Sequence, residues 1–179
     1  MLKTIAIGGA GLLVVAVVII LIMAATKPDV FRVQRSASIK AAPEKIFPLI
    51  NDLHANLDWS PYEKKDPAMK RAHGGAQSGK GAFYEWDGNK EVGSGRLTIT
   101  ESVAPSRVTM ALDMTRPFEC HNIVEYTLVP QGDATLVTWA MQGPAPFIAK
   151  VMQVFFDMDK MVGRDFEAGL TSLKAIAER

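Results

Sequence analysis

From about Ala68 to Gln142 the chain reads as one short alternating run after another, with turn residues between the runs and no helix-period segment among them. A period of two sends successive side chains to opposite faces of a strand. Strands that follow one another through short turns, without a crossover helix, pair antiparallel, so this stretch predicts a meander. Ala82–Trp86 comes first, and Asp87-Gly88-Asn89 suggests a hairpin turn after it. Gly95 to Val103 carries Leu97 and Ile99 on one face. Glu101 follows them in parity, which marks a strand end or a bulge. Ala104-Pro105-Ser106 turns the chain into a run in which Val108, Met110, Leu112 and Met114 share a face. Val124, Tyr126 and Leu128 form the next set, and Val137, Trp139 and Met141 follow a Gln131-Gly132-Asp133 turn.

The flanks supply the helices. Phe31, Val33, Ala37 and Ile39 alternate with polar residues as a half-buried strand, and Ala42-Pro43-Glu44 then resembles a helix start with proline in its first turn. Ile46, Phe47, Leu49, Ile50 and Leu53 give one or two short helices an apolar face, and Leu57–Tyr62 reads as a turn. Beyond Gly143-Pro144-Ala145-Pro146, apolar residues from Ile148 to Ile176 recur at three- and four-residue intervals. That spacing predicts one long amphipathic helix to the C-terminus. The class is α+β.

No charged residue occurs from Thr4 to Thr26, and Lys3 and Lys27 bracket the run. About 20 apolar residues cross a hydrocarbon core, so the run predicts a transmembrane helix. A secretory leader is the alternative, but its apolar core is usually about 7–15 residues. The expected organisation is an anchor over 1–27, reaching the membrane through residues 4–26, and a folded domain over 28–179. Lys27, Arg32, Arg35 and Lys40 after the span point to a single-pass protein with its domain on the cytoplasmic side.

Several chemistries find no footing. Twenty basic residues nearly cancel nineteen acidic ones, and they are scattered, so no nucleic-acid partner is expected. The single cysteine, Cys120, excludes an internal disulfide and a CxxC motif, and His54, His73 and His121 are not at ligand spacing. No metal and no cofactor are expected. Asp157-Met158-Asp159 lacks the glycine and third ligand of a calcium loop. Gly93-Ser94-Gly95 lacks a nucleophile elbow's flanks, and Gly79-Lys80-Gly81 lacks the lead-in of a phosphate loop.

Arg35-Ser36-Ala37-Ser38-Ile39 leading into Ala42–Phe47, then Ile50-Asn51-Asp52 and Trp59-Ser60-Pro61, resembles the opening of the SRPBCC (START-like) superfamily. Val137-Thr138-Trp139 and Gly163–Leu170 resemble later segments of its polyketide cyclase/dehydrase and lipid-transport group. The likeness runs from Phe31 to the C-terminus. It implies a helix-grip fold, a curved antiparallel sheet around the C-terminal helix, with an apolar cavity for a lipid or another hydrophobic small molecule. It implies no shared catalytic motif.

On that basis Trp86, Met110, Met114, Tyr126, Trp139, Met141, Phe155 and Met158 are the candidate cavity residues, their plain alternative being ordinary core. Glu119 and His121 share a strand face with Glu125. A carboxylate beside an imidazole suits acid–base work, and a solvated face with cross-strand pairs is the simpler account. The first expectation is therefore a membrane-anchored binding or carrier domain. A cyclase- or hydrolase-like enzyme and a protein-interaction domain are the alternatives.

Overall fold

The computed structural model describes the backbone of residues 2–179 and the side chains of residues 13–179. Helix α1 (Leu2–Ala25) precedes β1 (Val30–Ile39), α2 (Pro43–Asn51), a 3-10 turn at Ala55–Asp58 and α3 (Pro61–Lys65). Then come β2 (Lys70–Gly74), β3 (Phe83–Asp87), β4 (Ser94–Val103), β5 (Arg107–Arg116), β6 (Cys120–Gln131) and β7 (Ala134–Pro144). Helices α4 (Phe147–Phe155) and α5 (Met158–Ala177) complete the chain. The chain divides into two compact units, Met1–Phe31 with Pro144–Met158, and Arg32–Gly143 with Asp159–Arg179.

The larger unit holds the meander. Its strands belong to a seven-stranded sheet ordered β1-β7-β6-β5-β4-β3-β2, and each of the pairs from β2 to β7 is antiparallel. Alternation sets the inward face: Val33 and Ile39 of β1, Val108 and Met110 of β5, Tyr126 and Leu128 of β6, and Val137 of β7 are almost wholly buried. The register shifts between Ile99 and Glu101, so the parity break at Glu101 is a bulge. Phe166, Leu170 and Leu173 of α5, spaced as one helical stripe, bury in the same core with Ile46, Ile50 and Trp59. Trp59 can be fully enclosed because its indole N–H donates to the Leu49 carbonyl at 2.8 Å. Arg35, on the inward parity of β1, reaches α5, where its guanidinium pairs with Asp159 at 2.9 Å and Glu167 at 2.7 Å.

In the smaller unit α1 packs against α4. The Lys150 ammonium, nearly buried, donates to Asp29 at 2.5 Å and holds that carboxyl below its ordinary range. Apolar side chains stay exposed on both helices, among them Leu13, Val14 and Ile22 on α1 and Phe147, Ile148 and Phe155 on α4.

Three expectations are corrected. Among the described residues no helix is long and apolar enough to cross a membrane. Residues 4–12 of the uncharged run lie outside the described side chains. The expected transmembrane helix, and with it the single-pass membrane location and its orientation, is overturned. The single C-terminal helix is in fact two, because Phe156 is extended at φ −122°, ψ 126° and Asp157, a residue type favoured before a helix, precedes α5. The stretch Leu57–Tyr62, read as a turn, ends inside a short helix, since Pro61 and Tyr62 open α3 (Pro61–Lys65) with proline at its start.

Candidate functional site

Three rungs of the sheet build the floor of a cavity in the larger unit. Antiparallel register sets Tyr84 beside Leu97, Leu97 beside Leu112, and Leu112 beside Asn122. Residues directly opposite share a face, so all four side chains line the same space. The next rung runs Ile99, Met110, Val124, Met141, and the third runs Val108, Tyr126, Trp139. Helix α5 adds Val162 and Phe166, and the segment between α2 and β2 adds Leu53, Leu57, Ser60, Tyr62 and Glu63. The cavity measures about 260 Å³. A dry cavity of roughly 150 Å³ already admits benzene, so this one has room for more than one aromatic ring.

Aromatic packing fixes one end. Trp139 stacks on Phe166 with ring centroids 4.0 Å apart, lies 5.2 Å from Tyr126, and takes Trp59 edge-on at 5.7 Å. Two glycines make the approaches possible. A Cβ at Gly169 would fall 2.6 Å from Cζ3 of Trp139, and one at Gly95 would fall 2.9 Å from the Trp86 ring. Gly95 stands beside both Trp86 and Met114, so its missing side chain lets the indole lie flat across the sheet.

The other end is polar. The Glu63 carboxylate accepts from the Tyr84 hydroxyl and from Arg71 Nε, each at 2.7 Å. Burial first, and then Glu63, hold the Tyr84 phenol well above its usual range, so it stays a neutral donor. Burial does the same to Tyr126, assisted by Tyr62, and to Tyr62, assisted by Asp165. His73 stacks on His54 at 4.1 Å and tilts against Tyr84 at 4.8 Å. Burial, then His54, lowers its pKa. The Asn122 Oδ1 and the Trp139 Nε1 are buried without a hydrogen-bond partner.

Of the residues the sequence proposed, Trp86, Met114, Tyr126, Trp139 and Met141 line this cavity together. Met110 is fully buried beside it. Phe155 is 62% exposed, and neither it nor Met158 is among the lining residues. Glu119 is exposed just ahead of β6, and His121 is exposed on the face of β6 opposite Asn122. His121 Nδ1 lies 2.7 Å from Asp113 Oδ1, its register partner. That contact, with the Asp113 charge and then Glu119, raises the imidazole pKa. The pair is thus a solvated cross-strand arrangement and takes no part in the cavity. Sequence reasoning missed Tyr84, Leu112, Asn122 and Glu63. The first three were accessible, since each shares parity with a residue already selected; nothing in the pattern around Pro61 marked Glu63.

The family model described as polyketide cyclase / dehydrase and lipid transport matches residues 30–178. No curated protein matches in sequence. Among solved structures, protein CV1439 from Chromobacterium violaceum superimposes with a TM-score of 0.60 at 16% identity, covering 86% of this chain and 99% of its own. The major latex-like protein 151 of Panax ginseng gives a TM-score of 0.58 at 11% identity, covering 85% and 100%. TTHA0849 from Thermus thermophilus gives 0.58 at 16% identity, covering 82% and 97%. At such identities the likeness concerns the fold.

Proposed function

This chain belongs to the polyketide cyclase/dehydrase and lipid transport family, and on that premise we propose that it is a binding or carrier module for a hydrophobic small molecule. The observation that carries the reading is the cavity of about 260 Å³, walled by aliphatic, methionine and aromatic side chains from five strands, α5 and the segment after α2. Such a lining removes apolar ligand surface from water, which is the main source of affinity for molecules of this type. Met69, Met114 and Met141 add unbranched, polarisable side chains that adapt to an irregular ligand. Acid–base chemistry by Glu119 and His121 gains no support, because both are exposed and His121 is engaged by Asp113.

The test is binding of the neutral fluorescent probe N-phenyl-1-naphthylamine to the full chain and to Leu112→Trp. Leu112 stands in the middle of the floor rung, so an indole there fills the cavity. Saturable binding by the wild type, lost in a folded Leu112→Trp, is the expected result. Binding that is unchanged by the filled cavity would place the probe elsewhere and refute the proposal.

A further inference from the structure

The cavity wall also selects among classes of ligand, a selection that rests on the carrier reading. Among the described residues that line the cavity there are two carboxylates, Glu63 and Glu91, and no lysine, arginine or histidine. The cation that pairs with Glu63 is turned away from the cavity. Arg71 gives Nε to Glu63, and its Nη atoms donate to the carbonyls of Pro67, Met69 and Asp66. It is not a lining residue.

The Glu63–Tyr84 pair at the polar end shows a ligand only acceptors. An ionised carboxylate offers about four lone-pair sites and no donor. Glu63 has used one site on each oxygen, for Tyr84 and for Arg71. Its side chain is 11% exposed, so water meets the remaining sites poorly. Tyr84 has spent its single hydrogen on Glu63 and shows a ligand only oxygen lone pairs. At another rung position Asn122 holds its amide N–H₂ toward Cys120 Sγ at 3.5 Å, which leaves Oδ1 as an unpaired acceptor. The lining also carries donors: the unpaired Trp139 indole N–H at the aromatic end, the hydroxyls of Ser60, Tyr62 and Tyr126, and the Asn56 amide.

We infer that the ligand is an uncharged, hydrocarbon-rich molecule bearing a hydrogen-bond donor, a hydroxyl or phenol being the simplest, directed at the Glu63–Tyr84 pair. A hydroxyl gives a hydrogen to Glu63 and still accepts one. An anionic head, whether a fatty carboxylate or a phosphate, meets the Glu63 carboxylate where the lining offers no free cation to receive it, Arg71 being already paired with Glu63 and turned to backbone carbonyls. A bare hydrocarbon leaves the acceptors where they are and gains nothing from them.

Three probes of one skeleton separate these cases: naphthalene, 1-naphthol and 1-naphthoate, each titrated against the full chain by displacement of N-phenyl-1-naphthylamine, with Leu112→Trp as the blank. Naphthol should bind more tightly than naphthalene by about tenfold, the ratio one hydrogen bond to a charged acceptor supplies. Naphthoate should be the weakest of the three. Glu63→Gln, which adds an N–H₂ donor and removes the charge, should narrow the gap between naphthol and naphthoate. Tyr84→Phe, which leaves the Glu63–Arg71 pair in place, should keep naphthoate weakest. Equal affinity of wild type for naphthol and naphthoate overturns the inference while leaving the carrier reading intact, since both have then bound. So does naphthalene binding as well as naphthol. Failure of all three probes to bind the cavity overturns the carrier reading itself.

Discussion

Gly169→Ala is a substitution whose sign depends on Trp139. In a helix interior alanine is favoured over glycine by about 1 kcal/mol, so on local grounds the change should stabilise α5. The structure opposes it. The new methyl carbon would sit 2.6 Å from Cζ3 of Trp139 and 3.0 Å from Cδ of Pro61, where carbon atoms rest comfortably at about 3.5–4.0 Å. The indole has little room to recoil, because Phe166, Tyr126 and Trp59 hold it from other directions. Overpacking of this kind costs about 1–3 kcal/mol, so the net effect should be a loss of roughly 0–2 kcal/mol. Trp139→Phe removes the six-membered ring portion that carries Cζ3, and on that background the alanine should recover its helix gain. Urea unfolding of the four proteins, followed by far-ultraviolet circular dichroism, gives the coupling energy directly. A coupling of about 1–3 kcal/mol is expected. Effects of Gly169→Ala that agree on both backgrounds to within about 0.5 kcal/mol would mean the two positions do not press on one another, and the close approach would be refuted.

Thr135 is fully buried and its hydroxyl donates to the Ala41 carbonyl at 2.7 Å. Thr135→Val should therefore cost about 0.5–1.5 kcal/mol in the same unfolding assay by removing the donor from a half-buried acceptor, and equal stability would sink the argument. His121 should titrate above the ordinary imidazole value near 6.5 in a nuclear magnetic resonance pH series, and Asp113→Asn should bring it back. Because the folded value is the raised one, this contribution to stability is fully present below about pH 6.5 and is lost as pH rises through the folded pKa. A wild-type value at or below about 6.5 would contradict the pairing.

The sheet was legible because period-two alternation survives wherever one face is buried; β1, β5, β6 and β7 all carry it. Strand β2 (Lys70–Gly74) has no apolar alternation to read, since Lys70, Arg71 and His73 fill three of its five positions. It is held instead by pairing to β3 and by Arg71 reaching Glu63. The C-terminal helix misled in a different way. A three- and four-residue apolar rhythm continues through Phe155-Phe156-Asp157, and periodicity does not register a single extended residue such as Phe156. The cavity's apolar floor followed from strand parity. Its polar end did not, because Glu63 sits in a five-residue helix whose only sequence signal is Pro61, and its meaning comes from Tyr84 and Arg71, which the fold brings to it.

The position of β1 also sets an order of assembly. Strands β2 to β7 each neighbour the strand before or after them, so they can close hairpin by hairpin as the chain lengthens. Strand β1 is made before any of them and lies beside the last, with Ser36 and Thr138, 102 positions apart, joined by hydroxyl contact at 2.9 Å. Loop closure over that distance has to precede the contacts that reward it, which makes such pairings slow. During synthesis, Val33 and Ile39 remain without their final neighbours until β7 and α5 have emerged. The earliest apolar face of this domain is the latest to be covered, and it is the segment a chaperone would meet first.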